Sequence, residues 1–198
     1  MNSIEAHEIL ANNISTLKEI SKDNHDGIEY YMTESTLTAV DFDAVKDEYV
    51  KKQKLGHEGH NPKSIDAIFF DSKGKQVFIE FKNGYIDKKE QYMIIQKIYD
   101  SLLIYSDIIC ENIKYTREQI DCILVYNELK NNEKNKDKIS KNNVQNAESR
   151  DHIGKRLSRL AGTSFIKYGL EIFKNYCFRE VYTCTEAEFE EFLNSFSE

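Results

Sequence analysis

Apolar side chains recur at helical spacing near the start of the chain. Ile4, Ile9, Leu10, Ile14, Leu17 and Ile20 predict one amphipathic helix over residues 4–21, ended by the NHDG stretch that follows. Ile28, Tyr30, Tyr31 and the neighbouring threonines favour β structure but leave residues 28–40 ambiguous. Phe42, Val45 and Tyr49 share one side of a short predicted helix over 42–53, with Asp41 as its N-cap. A polar connection then runs to residue 63. It holds His57 and His60 in HEGH, which is not H-E-x-x-H and, with two glycines and Pro62 close by, reads as a loop.

The pattern is sharpest over residues 64–82. SIDAIFF and QVFIEFK are β-rich runs on either side of DSKGK, and Gly74 marks the turn of a predicted hairpin. Asp87, with Glu90 three residues on, opens a helix whose apolar face (Ile94, Ile95, Ile98, Leu102, Tyr105, Ile109) continues to about residue 109. QIDCILVY at 119–126 predicts another strand. The order helix, strand, strand, helix, strand predicts a mixed α/β domain. Residues 127–150 turn abruptly polar and read as a flexible excursion. Residues 151–161 regain an amphipathic pattern, with basic residues opposite Ile153, Leu157 and Leu160. A strand near CFREVYT and a helix from Thr185 to Phe196, with Glu188 at capping-box spacing, complete what reads as a single domain over residues 1–198.

Composition narrows the function classes. The chain is 40% apolar and 31% charged, ordinary for a soluble globular protein. No apolar run approaches the roughly 20 residues of a membrane-spanning helix. MNSIEAHEIL has no basic start leading into an apolar stretch, so the expectation is a cytoplasmic protein without membrane contact. The net charge of −7 counts against a passive nucleic-acid-binding module. It counts less against a metal-dependent enzyme, where bound cations offset clustered carboxylates. Cys110, Cys122, Cys177 and Cys184 are widely spaced, without a C-x-x-C pair, and lie in or beside apolar segments; buried free thiols are expected, not zinc ligands.

Strand alternation brings candidate chemistry together. Val77, Ile79 and Phe81 point one way, and Phe78, Glu80 and Lys82 the other; on the first strand Asp66, Ile68 and Phe70 share a face. If Ser72-Lys73-Gly74 is a three-residue loop with glycine left-handed, Asp66 falls directly opposite Glu80, with β-carbons ~5 Å apart. A two-residue turn would offset them. Two like charges so placed repel, and a bound divalent cation offsets that repulsion; hard carboxylate oxygens suit Mg²⁺. Lys82, two residues past Glu80, would reach over the same face to orient an attacking water, help deprotonate it, or stabilise charge on a phosphate. Both faces of this sheet are apolar, so carboxylates there need a cleft.

Asp66, a hairpin and then Glu80-Phe81-Lys82 resembles the D…E-x-K signature of the PD-(D/E)xK nuclease superfamily, over roughly residues 42–126. The resemblance implies a restriction-endonuclease-like mixed sheet flanked by helices and a Mg²⁺- or Mn²⁺-dependent nuclease acting on nucleic acid, DNA before RNA. It implies Asp66, Glu80 and the backbone carbonyl of Phe81 as metal ligands and Lys82 as the catalytic lysine. The family's proline ahead of the aspartate is absent: Ile65 precedes Asp66, and Pro62 lies four residues earlier. Glu48 is the candidate for a further acid on the preceding helix, with Glu29 and Glu34 as rivals, and Gln91 or Gln96 for a polar residue on the following one. Lys88, Lys89, Arg150, Lys155, Arg156 and Arg159 are candidate nucleic-acid contacts, against the plainer reading of solvated surface charge. A dimer or a protein partner is expected from the small size, and phage or mobile-element biology would fit. The rival class is a nuclease-fold protein that no longer cuts and serves as a binding or regulatory subunit.

Overall fold

A computed structural model describes residues 7–25, 27–55, 61–132 and 166–194. The HEGH loop, most of the polar excursion and the basic 151–161 segment with Lys155, Arg156 and Arg159 lie outside the described residues, as does Arg150.

The two β-rich runs form the expected hairpin, β5 (Ala67–Phe70) and β6 (Gln76–Lys82), with Ala67 facing Ile79 and Phe70 facing Gln76. The ladder runs on to Asp71, whose N–H donates to the Lys75 carbonyl, so Ser72-Lys73-Gly74 is the three-residue loop and Gly74 adopts φ 79°. Asp41 caps α3 (Phe42–Gln53) by accepting from the Ala44 N–H, and Asp87 caps α4 (Lys88–Ile109) by accepting from Glu90 N–H. At the C-terminal end, β8 (Glu180–Thr185) leads into α6 (Glu186–Asn194) through a reciprocal capping box. Thr185 N–H donates to Glu188, and Glu188 N–H donates to the Thr185 hydroxyl.

The start of the chain departs from the expected single helix. Residues 8–20 form α1 (Glu8–Ala11), β1 (Ile14–Thr16) and α2 (Leu17–Ile20). Asn13 turns its amide back onto the Ile9 carbonyl, and Thr16 caps α2 by accepting from Glu19 N–H. Between them β1 pairs with β4 (Thr38–Asp41). Sequence-remote pairing thus overrides the helical periodicity. Asn24 and His25 of the NHDG stretch belong to a small hairpin, β2 (Lys22–His25) against β3 (Ile28–Tyr31). Residues 128–132, within the expected flexible excursion, are instead helical, and Asn127 and Asn131 are buried.

The main sheet has the order β1-β4-β5-β6-β7-β8, with β7 at Ile120–Tyr126 after the short helix α5 (Ile113–Gln119). Pairing is antiparallel from β1 to β6 and parallel from β6 to β8. This is a mixed sheet flanked by helices. On one face Ile68, Phe78, Leu124 and Val181 pack beneath α3 and α4; on the other Phe69, Ile79, Phe81 and Val125 meet Phe189 and Leu193 of α6. Among the described residues, no helix is long and apolar enough to cross a membrane. Of the cysteines, Cys122 and Cys177 are buried and Cys184 half-buried, but Cys110 is exposed: it is the left-handed C-cap residue of α4, where the chain leaves the apolar face.

Candidate functional site

Asp66 is the last residue before β5, and its backbone is held from both sides. Its N–H donates to the Ile79 carbonyl at 3.2 Å, and its carbonyl accepts from Phe42 N–H at 3.0 Å. The residue before it is tied to α4 by a hydrogen bond of 2.8 Å from Ile65 N–H to the Ser101 hydroxyl. The Ala67–Ile79 pair ends the ladder, and Asp66, one residue beyond it, and Glu80 both bring their carboxyl groups to α4.

The third partner is one the strand pattern does not supply. Lys97 of α4 places its ammonium 2.6 Å from Glu80 Oε1 and 3.4 Å from Asp66 Oδ1. Asp66 Oδ2 accepts from Phe81 N–H at 2.6 Å. Three of the four carboxylate oxygens are therefore engaged from within the chain, and the fourth, Glu80 Oε2, is buried with no hydrogen-bond partner among the described residues. Glu80 is 2% exposed, so that lone oxygen cannot turn to bulk solvent. Asp43, in the first turn of α3, adds a further negative charge nearby while accepting a hydrogen bond from the Ser64 hydroxyl.

Burial dominates the electrostatics. It pushes the Glu80 carboxyl well above its ordinary value, Asp66 pushes it further, and Lys97 only partly opposes them. Asp66 is raised for the same first reason, against the pull of Lys97 and the Phe81 amide. Burial alone would lower Lys97, but the charges of Glu80 and Asp66 outweigh it and hold the ammonium protonated. A carboxyl whose folded pKa is raised contributes stability that is complete below its unfolded value, near 4.5, and lost as pH rises through the folded one. Glu80→Gln removes that titration. The stability of Glu80→Gln relative to wild type is expected to increase from pH 5 to pH 8 in paired urea denaturations, and a pH-independent difference would contradict the assignment.

Lys82 pairs with a different acid. Its ammonium lies 2.5 Å from Glu90 of α4, and its Cε lies against Gly84. Asp66, Phe81 and Lys82 do share the wall of a cavity of about 190 Å³ that the β2–β3 hairpin covers with Lys22 and Asp23. Glu48 is not brought to this place: it accepts from the Asn13 amide at 3.0 Å. Glu29 pairs with Lys22 and Glu34 with Lys18 on the surface. Lys88 and Lys89 are exposed on the first turn of α4, Gln91 is half-buried, and Gln96 is exposed with its amide 3.4 Å from Asp100.

Sequence reasoning missed Lys97 and Asp43. Lys97 had a legible signal, since it stands three residues past Ile94 and four before Ser101, inside the stripe that α4 buries. Asp43 had none beyond its place in the first turn of a helix.

The donor set does not suit a divalent ion as it stands. An ion entering between the strands would meet an ammonium and a single uncommitted carboxylate oxygen. Among the described residues, no group of three or more His, Cys, Asp or Glu side chains is placed to hold a metal. Comparison with protein-family models, with curated proteins and with solved structures finds no match to this chain.

Proposed function

We propose that the chain carries a restriction-endonuclease-like fold whose acid pair is neutralised by its own lysine, and that it serves as a binding or regulatory protein instead of cutting. The single observation behind this reading is the Lys97 ammonium between Asp66 and Glu80, where the resemblance would put Mg²⁺. Lys82 supports it, since its ammonium is engaged with Glu90 and not with the acid pair. The partner would be nucleic acid, DNA before RNA, or another protein. With a net charge of −7, nucleic acid would have to be held by a local patch and not by the field of the whole molecule.

A second reading, a Mg²⁺- or Mn²⁺-dependent nuclease with Asp66 and Glu80 as ligands and Lys82 as the catalytic lysine, is favoured by one specific observation. Two carboxyl groups converge beside the hairpin, and one of their oxygens has no donor among the described residues. The two readings part in a cleavage assay on supercoiled plasmid, single-stranded DNA and RNA, with Mg²⁺ or Mn²⁺ supplied. Wild type and Lys82→Ala are expected to leave all three intact. Cutting by wild type that disappears in a folded Lys82→Ala would put the nuclease reading first.

A further inference from the structure

We infer that Lys97 is a tethered cation that excludes divalent metal from the Asp66–Glu80 pair, so that one side chain of α4 decides whether the pair is an ion site. The inference rests on the reading of the pair as internally neutralised, and it adds which residue enforces that state.

The lysine supplies one positive charge where two carboxylates face each other, and it takes one oxygen from each. The balance is incomplete: Glu80 Oε2 is buried and has no hydrogen-bond partner among the described residues. A buried carboxylate oxygen without a donor is a strong acceptor in a low-dielectric place. Removing the ammonium would release Asp66 Oδ1 and Glu80 Oε1 to join it, giving three oxygens from facing strands. A divalent ion would bring the second charge that the lysine lacks. Hard oxygens with room for water suit Mg²⁺ and Mn²⁺.

Access is compatible with this exchange. The Asp66 side chain is 15% exposed and lines the cavity beside the β2–β3 hairpin, so the Asp66 end of the pair borders open space. The Lys97 side chain is 27% exposed, so its stem runs from the acid pair toward the surface. A methionine would keep an unbranched apolar stem of similar length without the charge.

Titration of Mn²⁺ into the full chain by calorimetry, with free Mn²⁺ followed in parallel by electron paramagnetic resonance, tests the inference. Wild type is expected to bind weakly or not at all. Lys97→Met is expected to bind one ion at least about tenfold more tightly, and Lys97→Met with Glu80→Gln should lose that gain. If Lys97→Met is too unstable in chelator, refolding it with and without Mn²⁺ gives the same answer: recovery that depends on the ion supports the exchange. Equal Mn²⁺ affinity in wild type and Lys97→Met overturns the inference, and so does failure of Lys97→Met to fold in either condition. The functional reading fails separately, by cleavage with wild type. A wild type that neither cuts nor binds Mn²⁺, beside a Lys97→Met that binds it, upholds both.

Discussion

Lys97→Met should lower the unfolding free energy by about 3–5 kcal/mol at neutral pH in chelator, the range for stripping one partner from a buried charge pair. The size follows from what the substitution leaves behind. Glu80 is buried and the charges of Asp66 and Asp43 act on it, so the variant must either hold like charges together or draw protons in from solvent. Protonation is the cheaper escape because burial already raises both carboxyls. The loss should therefore shrink as the buffer is taken toward pH 5, where protons are more available. Urea denaturation of both proteins at pH 5 and pH 7.5 measures it. A loss below about 1 kcal/mol at neutral pH, the worth of an exposed ion pair, would show that solvent screens this cluster.

Phe78→Ala should cost about 3–5 kcal/mol, the range for deleting a buried aromatic ring whose surroundings relax only in part. Phe78 is fully buried in the middle of β6, and its ring lies 5.4 Å from that of Tyr105, 5.3 Å from Phe178 and 6.2 Å from Phe42. Those rings belong to α4, to the segment before β8 and to α3. One side chain therefore ties the hairpin to both helices that carry Lys97 and Asp43. The cavity would open two residues from Glu80, beneath the helix that supplies its counter-ion. Thermal denaturation should show a large drop in midpoint, and hydrogen exchange should speed up in α4 as well as in β6. Loss of protection confined to β6 would mean that α4 is held by other contacts.

The closure of the acid pair bears on how the D…E-x-K pattern is to be read. The pattern fixes which carboxylates face each other. It does not fix what neutralises them, because the neutralising group can come from any element packed over the same face. Here it comes from α4, and the lysine inside the pattern is drawn off to Glu90. The net result is a buried triad of one ammonium and two carboxyl groups.

Several features were legible because they are local. The alternation of QVFIEFK, the glycine at the loop and the two apolar faces are sequence-near signals, and they gave the hairpin and its register. Asp41, Asp87 and the Thr185–Glu188 pair announced three helix starts through hydrogen bonds that span only three residues. The early failure, one helix expected over 4–21, has the opposite cause. Ile14 and Leu17 fit a helical stripe, but Ile14 pairs with Val40 across the sheet, and no window of neighbouring residues contains that partner.

Local pattern thus carried a mixed α/β protein and a hairpin with a three-residue loop that brings Asp66 and Glu80 to neighbouring strands, because pleat and turn geometry act over a few residues. What surrounds those two acids came from packing: Lys97 reaches them from α4, the charge of Asp43 acts from α3, and Lys82 pairs with Glu90, since each of these placements depends on how helices distant along the chain settle on the sheet.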